Sequence, residues 1–165
     1  MVILQQMQHG LRLSANNLPR ICLIPTFSPP PALHDAATTP ANQQDLREQG
    51  SVFMPRFDSH GLVTAVAVDR TSGRLLMLAH MNAEAIERTR ETGRAHFWSR
   101  SRWRLWMKGE SSGHVLRVVE IRVDCDQDAL ELIVDAAGPA CHTMAQSCFY
   151  RRIAADGSLE RVAGD

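Results

Sequence analysis

Leu62-Val63-Thr64-Ala65-Val66-Ala67-Val68 and Arg74-Leu75-Leu76-Met77-Leu78-Ala79, joined by Asp69-Arg70-Thr71-Ser72-Gly73, decide the fold class. Two β-rich apolar runs around a glycine-containing turn predict a β-hairpin. Directly downstream, Asn82 can cap a helix over Ala83–Thr92, and Gly93 stands where a left-handed residue closes such a helix. Further strands are expected at Ala95–Ser99, Arg104–Met107, Val115–Asp124 and Ala129–Asp135, with Lys108-Gly109-Glu110-Ser111-Ser112-Gly113 as a loop between two of them. The pattern predicts a compact, strand-rich α+β domain with one main helix. It contains no repeat and no GxGxxG or P-loop motif.

Working outward, the chain divides near residue 53. Residues 54–165 carry the patterned domain. Residues 1–53 hold Pro29-Pro30-Pro31, three further prolines and two Gln pairs, with no sustained period. Such a segment reads as a disordered N-terminal extension. Its first 34 residues have only Arg12 and Arg20 as charges, so an organelle transit segment is one reading. A start misassigned upstream of Met54 is the other.

The whole chain has 165 residues, with Lys+Arg 18 against Asp+Glu 18. Net neutrality argues against a nucleic-acid binder, which needs cations for phosphate neutralisation. No apolar run approaches the roughly 18 residues of a membrane helix, so no membrane span is expected. Four cysteines in a chain of this length do not make a disulfide scaffold. In a reducing cytoplasm, the expected location, they read as thiols or metal ligands.

The stretch Asp124-Cys125-Asp126-Gln127-Asp128 follows Val119, Ile121 and Val123, which alternate with Glu120 and Arg122. If the extended geometry continues, the three aspartates share one face and Cys125 points to the other. Like charges that close repel unless a cation lies among them. Oxygen donors of this kind suit Mg²⁺ or Ca²⁺, and a solvated acidic turn is the competing reading.

Cys141 and Cys148 follow in Gly138-Pro139-Ala140-Cys141-His142-Thr143-Met144-Ala145-Gln146-Ser147-Cys148. Three thiols with a neighbouring histidine are donors that Zn²⁺ prefers. Seven residues of helix would separate Cys141 from Cys148 by about 10 Å along the axis. Two sulfurs on one zinc lie under roughly 5 Å apart. If both bind one ion, the segment must fold back as a loop. Three ligands leave the open position of a catalytic site, a fourth from His142 would close a structural one, and spacing leaves both possible. Cys22 reads as an uninvolved thiol. Arg100, Arg102, Arg104, Lys108 and the Ser111-Ser112-Gly113 loop form a basic run, and Lys108 is the only lysine in the chain. Such a run can hold anionic oxygens, or it can be an exposed basic strand.

Together these blocks resemble phosphoribosyl-AMP cyclohydrolase, the third enzyme of histidine biosynthesis. The likeness runs from Phe57 to Arg152. It covers Leu76–Asn82, Phe97–Arg102, Leu105–Glu110, Val123–Asp128, Ala140–Thr143 and Ser147–Arg151. Two departures are Met144, where the family usually has Gly, and His80, where Tyr is common.

The resemblance implies a hydrolase in which zinc-activated water opens the purine ring of phosphoribosyl-AMP at the N1–C6 bond. It implies an intertwined homodimer that binds zinc and magnesium. Cys141 and Cys148 would bind zinc together with Cys125 of the other subunit, and Asp124, Asp126 and Asp128 would bind magnesium. His142 is the candidate catalytic proton carrier, and Arg100, Arg102, Lys108 and Ser112 are candidate substrate contacts. The pyrophosphohydrolase often fused to such enzymes is expected on a separate chain, since 13 residues follow Arg152. A cytidine-type deaminase would need H-x-E and P-C-x-x-C, and neither occurs. A non-catalytic zinc-binding module remains the alternative from a different functional class.

Overall fold

The computed structural model describes residues 40–162, so residues 1–39, including Cys22, lie outside the described region. The chain forms α1 (Pro40–Gln49), β1 (Val63–Asp69), β2 (Leu75–Met81), α2 (Ala83–Thr92), β3 (His96–Ser99) and β4 (Arg104–Met107). It continues as β5 (Leu116–Val123), β6 (Ala129–Ala136), β7 (Arg151–Ile153) and β8 (Leu159–Arg161). The α+β, strand-rich class is as expected.

Six strands form one sheet in the order β4-β3-β2-β1-β6-β5, and β7 pairs with β8 separately. Neighbours run antiparallel except β1 and β6, which are parallel. A parallel pair cannot be joined by a tight turn. Here the chain passes through β2, α2, β3, β4 and β5 before returning beside β1. This return brings the β5–β6 turn, an acidic segment, alongside residues more than 70 positions earlier.

The core follows the two periodicities visible in the sequence. Val63, Ala65 and Ala67 of β1 are buried in alternation and pack with Leu130, Leu132 and Val134 of β6. The helix α2 covers this layer with Ala85, Ile86 and Thr89. Phe97, fully buried, packs on Trp106 with ring centroids 5.2 Å apart. Burying a side chain of that size contributes about 2–3 kcal/mol.

The α2 boundaries match the sequence expectation at both ends. Asn82 Oδ1 accepts the Ala85 amide at 2.8 Å, and Gly93 takes φ +63 while its N–H donates to Thr89 O at 3.0 Å.

Three elements were not expected. The helix α1 lies inside the segment read as an extension. Its signals were Pro40 at the first helical position and Gly50 just past the end. The β7–β8 hairpin turns through Asp156-Gly157, a turn pair that itself signals a hairpin. None of the described helices is long and apolar enough to cross a membrane.

Candidate active site

No helix or strand spans Ala137–Tyr150, the segment with two of the thiols. The chain doubles back there, with Cys141 N–H donating to Ala145 O at 3.2 Å and Met144 N–H to Cys141 O at 3.1 Å. Met144 makes the reversal at φ +68, a left-handed conformation that glycine adopts freely. Ser147, 1% exposed, then pins the loop to the sheet. Its hydroxyl donates to Leu75 O at 2.7 Å and accepts the Phe149 amide at 2.9 Å, while Cys148 N–H donates to Leu76 O at 2.7 Å. The fold-back inferred from zinc geometry is therefore present. Cys141 and Cys148 line one cavity of about 480 Å³, together with His142, Lys108, Ser112 and Arg102.

The two thiols influence each other. Burial resists ionisation of Cys141, but the Thr143 hydroxyl (3.1 Å from Sγ) and amide, with Cys148, bring its pKa below the usual thiol value. Protein packed around the Cys148 sulfur, and then the charge of Cys141, push its thiol up to about 11. The two shifts run in opposite directions, so the thiols of the pair are unequal. Two adjacent soft donors whose second ionisation needs a neighbouring positive charge are a donor set that fits Zn²⁺.

Lys108 supplies part of that charge. It is 9% exposed, and its ammonium donates to His114 O at 3.1 Å. Burial lowers its pKa, and Cys148 and Cys141 oppose the shift. Gly109 makes this placement possible. At φ +85, a Cβ there would lie 2.5 Å from His114 C and Val115 N. His142 is exposed at the cavity, with Nδ1 3.9 Å from Cys141 Sγ.

Cys125 is elsewhere. It is exposed on the β5–β6 turn and does not line the thiol cavity. Among the described residues, the one group of three ligand-type atoms within 4.8 Å of each other is Asp124, Asp126 and Asp128.

The reason these carboxylates meet differs from the sequence reading. The strand β5 ends at Val123, so strand alternation does not align them. A turn does: Asp124 Oδ1 accepts the Asp128 and Ala129 amides, both at 3.0 Å, and Gln127 takes φ +61. The neighbouring cation that the like charges require is Arg56. Its guanidinium bridges Asp126 and Asp128, and those carboxylates raise its pKa further, Asp128 most. The three carboxylates offer the hard oxygen donors that suit Mg²⁺.

Arg100 and Arg102 lie on the β3–β4 loop and face a second opening of about 620 Å³, shared with His80 and Trp98. Arg102 reaches both openings, whereas Lys108 lines the thiol cavity and not the second opening. Burial and then Arg100 lower the pKa of His80, against the pull of Asp58. Sequence reasoning missed Arg56, Gln127 and Ser147. Ser147 and Gln127 lie inside quoted motifs but carry no chemistry of their own, and Arg56 precedes the motifs entirely.

Comparison with known proteins bears directly on this arrangement. The sequence profile of phosphoribosyl-AMP cyclohydrolase matches residues 77–150, the span of the thiol loop, carboxylate turn and basic loop. A protein of that name from Sphingopyxis alaskensis is 64% identical over 121 residues, covering 73% of this chain and 96% of the relative. The chain belongs to the phosphoribosyl-AMP cyclohydrolase family. Cyclohydrolases from Rhizorhabdus wittichii (67% identical, 67% of this chain, 90% of the relative) and Rhodopseudomonas palustris (63%, 74% and 82%) are similarly close. Cys125, Cys141, Cys148, Asp124, Asp126 and Asp128 all fall inside the matched span.

Proposed function

We propose that this chain hydrolyses the N1–C6 bond of 1-(5-phosphoribosyl)-AMP, the third step of L-histidine biosynthesis, in the cytoplasm. The observation that carries the reading is the meeting of Cys141 and Cys148 at one cavity beside His142, in a chain of this family. The oxygen of water ends on C6 as a carboxamide oxygen. N1 takes a proton and stays tethered through C2, giving the phosphoribosylformimino-aminoimidazole carboxamide ribotide.

Cys141 and Cys148 would hold zinc with Cys125 of a second copy, and Asp124, Asp126 and Asp128 would hold magnesium. When bound, zinc supplies Lewis acidity that makes water nucleophilic near neutral pH, and magnesium supplies positive charge for phosphate oxygens. His142 moves the proton from the attacking water towards N1. Arg102, Lys108 and Ser112 line the same cavity and orient the substrate's anionic groups, with Arg100 at the adjoining opening.

The separation of Cys125 from the other two thiols supports an intertwined homodimer in which each zinc site draws on both copies. The chemistry belongs to residues 54–165.

The test measures zinc content and phosphoribosyl-AMP hydrolysis for the wild type, Cys125→Ala, Cys148→Ala and a co-refolded equal mixture of the two variants. Each variant alone is expected to be inactive. In the mixture about half the dimers are hybrid, each with one intact site, so roughly a quarter of wild-type activity returns. Zinc without turnover in the wild type would favour the non-catalytic module. Full activity in Cys148→Ala, or no recovery on mixing, would refute the ligand assignment.

A further inference from the structure

The carboxylate turn carries a cation of its own, delivered by a separate part of the chain. The Arg56 guanidinium bridges Asp126 and Asp128 through the Oδ2 atom of each. Arg56 is also tethered, because its backbone N–H donates to Gln127 O at 2.7 Å. Gln127, 5% exposed, extends this tie along residues 47–56. Its Oε1 accepts the Met54 amide at 2.6 Å, and its Nε2 donates to Arg47 O at 2.8 Å and Val52 O at 3.2 Å. Arg47 closes the segment on itself by donating to Met54 O at 3.0 Å. The segment is thus fastened across the turn through Gln127, and its last residue reaches into the acidic row.

The three carboxylates are not equivalent under this arrangement. Asp124 is held by two backbone amides, and no hydrogen bond or ion pair links it to Arg56. Asp126 and Asp128 share one guanidinium. A divalent ion on this row needs oxygens from the same two carboxylates, and its charge repels a guanidinium at hydrogen-bonding distance. We propose that Arg56 is the built-in competitor of the divalent cation: metal binding displaces the guanidinium from Asp126 and Asp128, and Arg56 thereby sets the metal affinity of the turn. Asp124 stays in place as the fixed donor, and Gln127 keeps the backbone of the segment attached while the side chain leaves. This inference rests on the magnesium reading given above.

Mn²⁺ is the probe, with free and bound ion measured by electron paramagnetic resonance on the full chain. Arg56→Gln is expected to bind Mn²⁺ about 5- to 20-fold more tightly than wild type, the lower part of the usual coupling range because the pair is half-exposed. Arg56→Lys keeps a competing charge but loses the planar fork, and is expected to bind Mn²⁺ with an affinity between those of wild type and Arg56→Gln. Unchanged or weaker binding in Arg56→Gln overturns the proposal.

A second measurement needs no variant. On addition of Mg²⁺ to wild type, the hindered guanidinium protons of Arg56 should move to fast exchange in the nuclear magnetic resonance spectrum, and protons that stay slow at saturating Mg²⁺ overturn it too. If neither wild type nor Arg56→Gln binds Mn²⁺ in a way that Asp126→Asn abolishes, the magnesium reading itself falls. That result is distinct from a turn that binds metal without competition.

Discussion

Replacing Ser147 by Ala tests how the thiol loop is held. The hydroxyl is buried, donates to Leu75 O at 2.7 Å and accepts the Phe149 amide at 2.9 Å. Its removal orphans one carbonyl and one amide. A buried polar group left unpaired costs about 1–3 kcal/mol. Phe149 is 49% exposed, so its amide can recover a partner from water, while Leu75 is only partly exposed on β2. The expected loss is therefore about 2 kcal/mol, carried mainly by the Leu75 carbonyl.

The neighbouring residue is Cys148, whose amide remains bonded to Leu76 O at 2.7 Å. The loop then hangs on one bond to β2 in place of two residues' worth. If half of the lost energy, about 1 kcal/mol, falls on sulfur placement, zinc affinity drops about fivefold, since 1.4 kcal/mol corresponds to a factor of ten. Urea unfolding gives the stability change, and competition with a chromophoric chelator gives the zinc affinity. A stability within about 0.3 kcal/mol of wild type, with unaltered zinc affinity, would show that Ser147 does not anchor the loop.

Two further outcomes follow from local geometry. Met144 holds φ +68 with 62% of its surface exposed, so Met144→Gly loses little burial and removes a left-handed side-chain penalty of about 1–2 kcal/mol. Glycine's extra unfolded-state entropy offsets about 0.5–1 kcal/mol of this. A net stabilisation of about 0.5–1 kcal/mol is expected in urea unfolding, and destabilisation would contradict it. Asp69 Oδ1 accepts the Ser72 hydroxyl at 2.7 Å and the Ser72 and Thr71 amides at 2.8 and 3.2 Å, which hold its pKa below the ordinary 3.8, the hydroxyl contributing most. A carboxylate with a depressed folded pKa stabilises the fold above its unfolded value, and that contribution is lost as pH falls through the folded one. Asp69→Asn should therefore flatten the loss of stability below about pH 4, and an acid limb identical to wild type would exclude the β1–β2 turn as a contributor.

The parts of the fold legible in the sequence are those that neighbouring residues control. The β1–β2 hairpin, α2 with its two caps, and the β3 and β4 strands stand within one or two residues of their expected limits. Each depends on alternation, a cap or a turn residue acting over a few positions. The helix α1 escaped because its exposed polar sequence has no apolar period to read, only Pro40 and Gly50 at its ends. The acidic row illustrates a right grouping for an incomplete reason. Alternation along a strand suggested one shared face, whereas the carboxylates meet because a turn closes on the Asp124 side chain.

By itself, the sequence determined the α+β class, the thiols and carboxylates proposed as metal donors, and the family, because side-chain chemistry and short-range spacing are written residue by residue. Tertiary structure decided which donors share a space. It joined Cys141 to Cys148 through a loop pinned on β2, left Cys125 on a different turn, and drew Lys108 in beside the thiols. It also brought Arg56 onto aspartates 70 and 72 positions away. The Arg56 meeting follows from the parallel return of β6 beside β1, which sets the β5–β6 turn next to the segment that leads into β1.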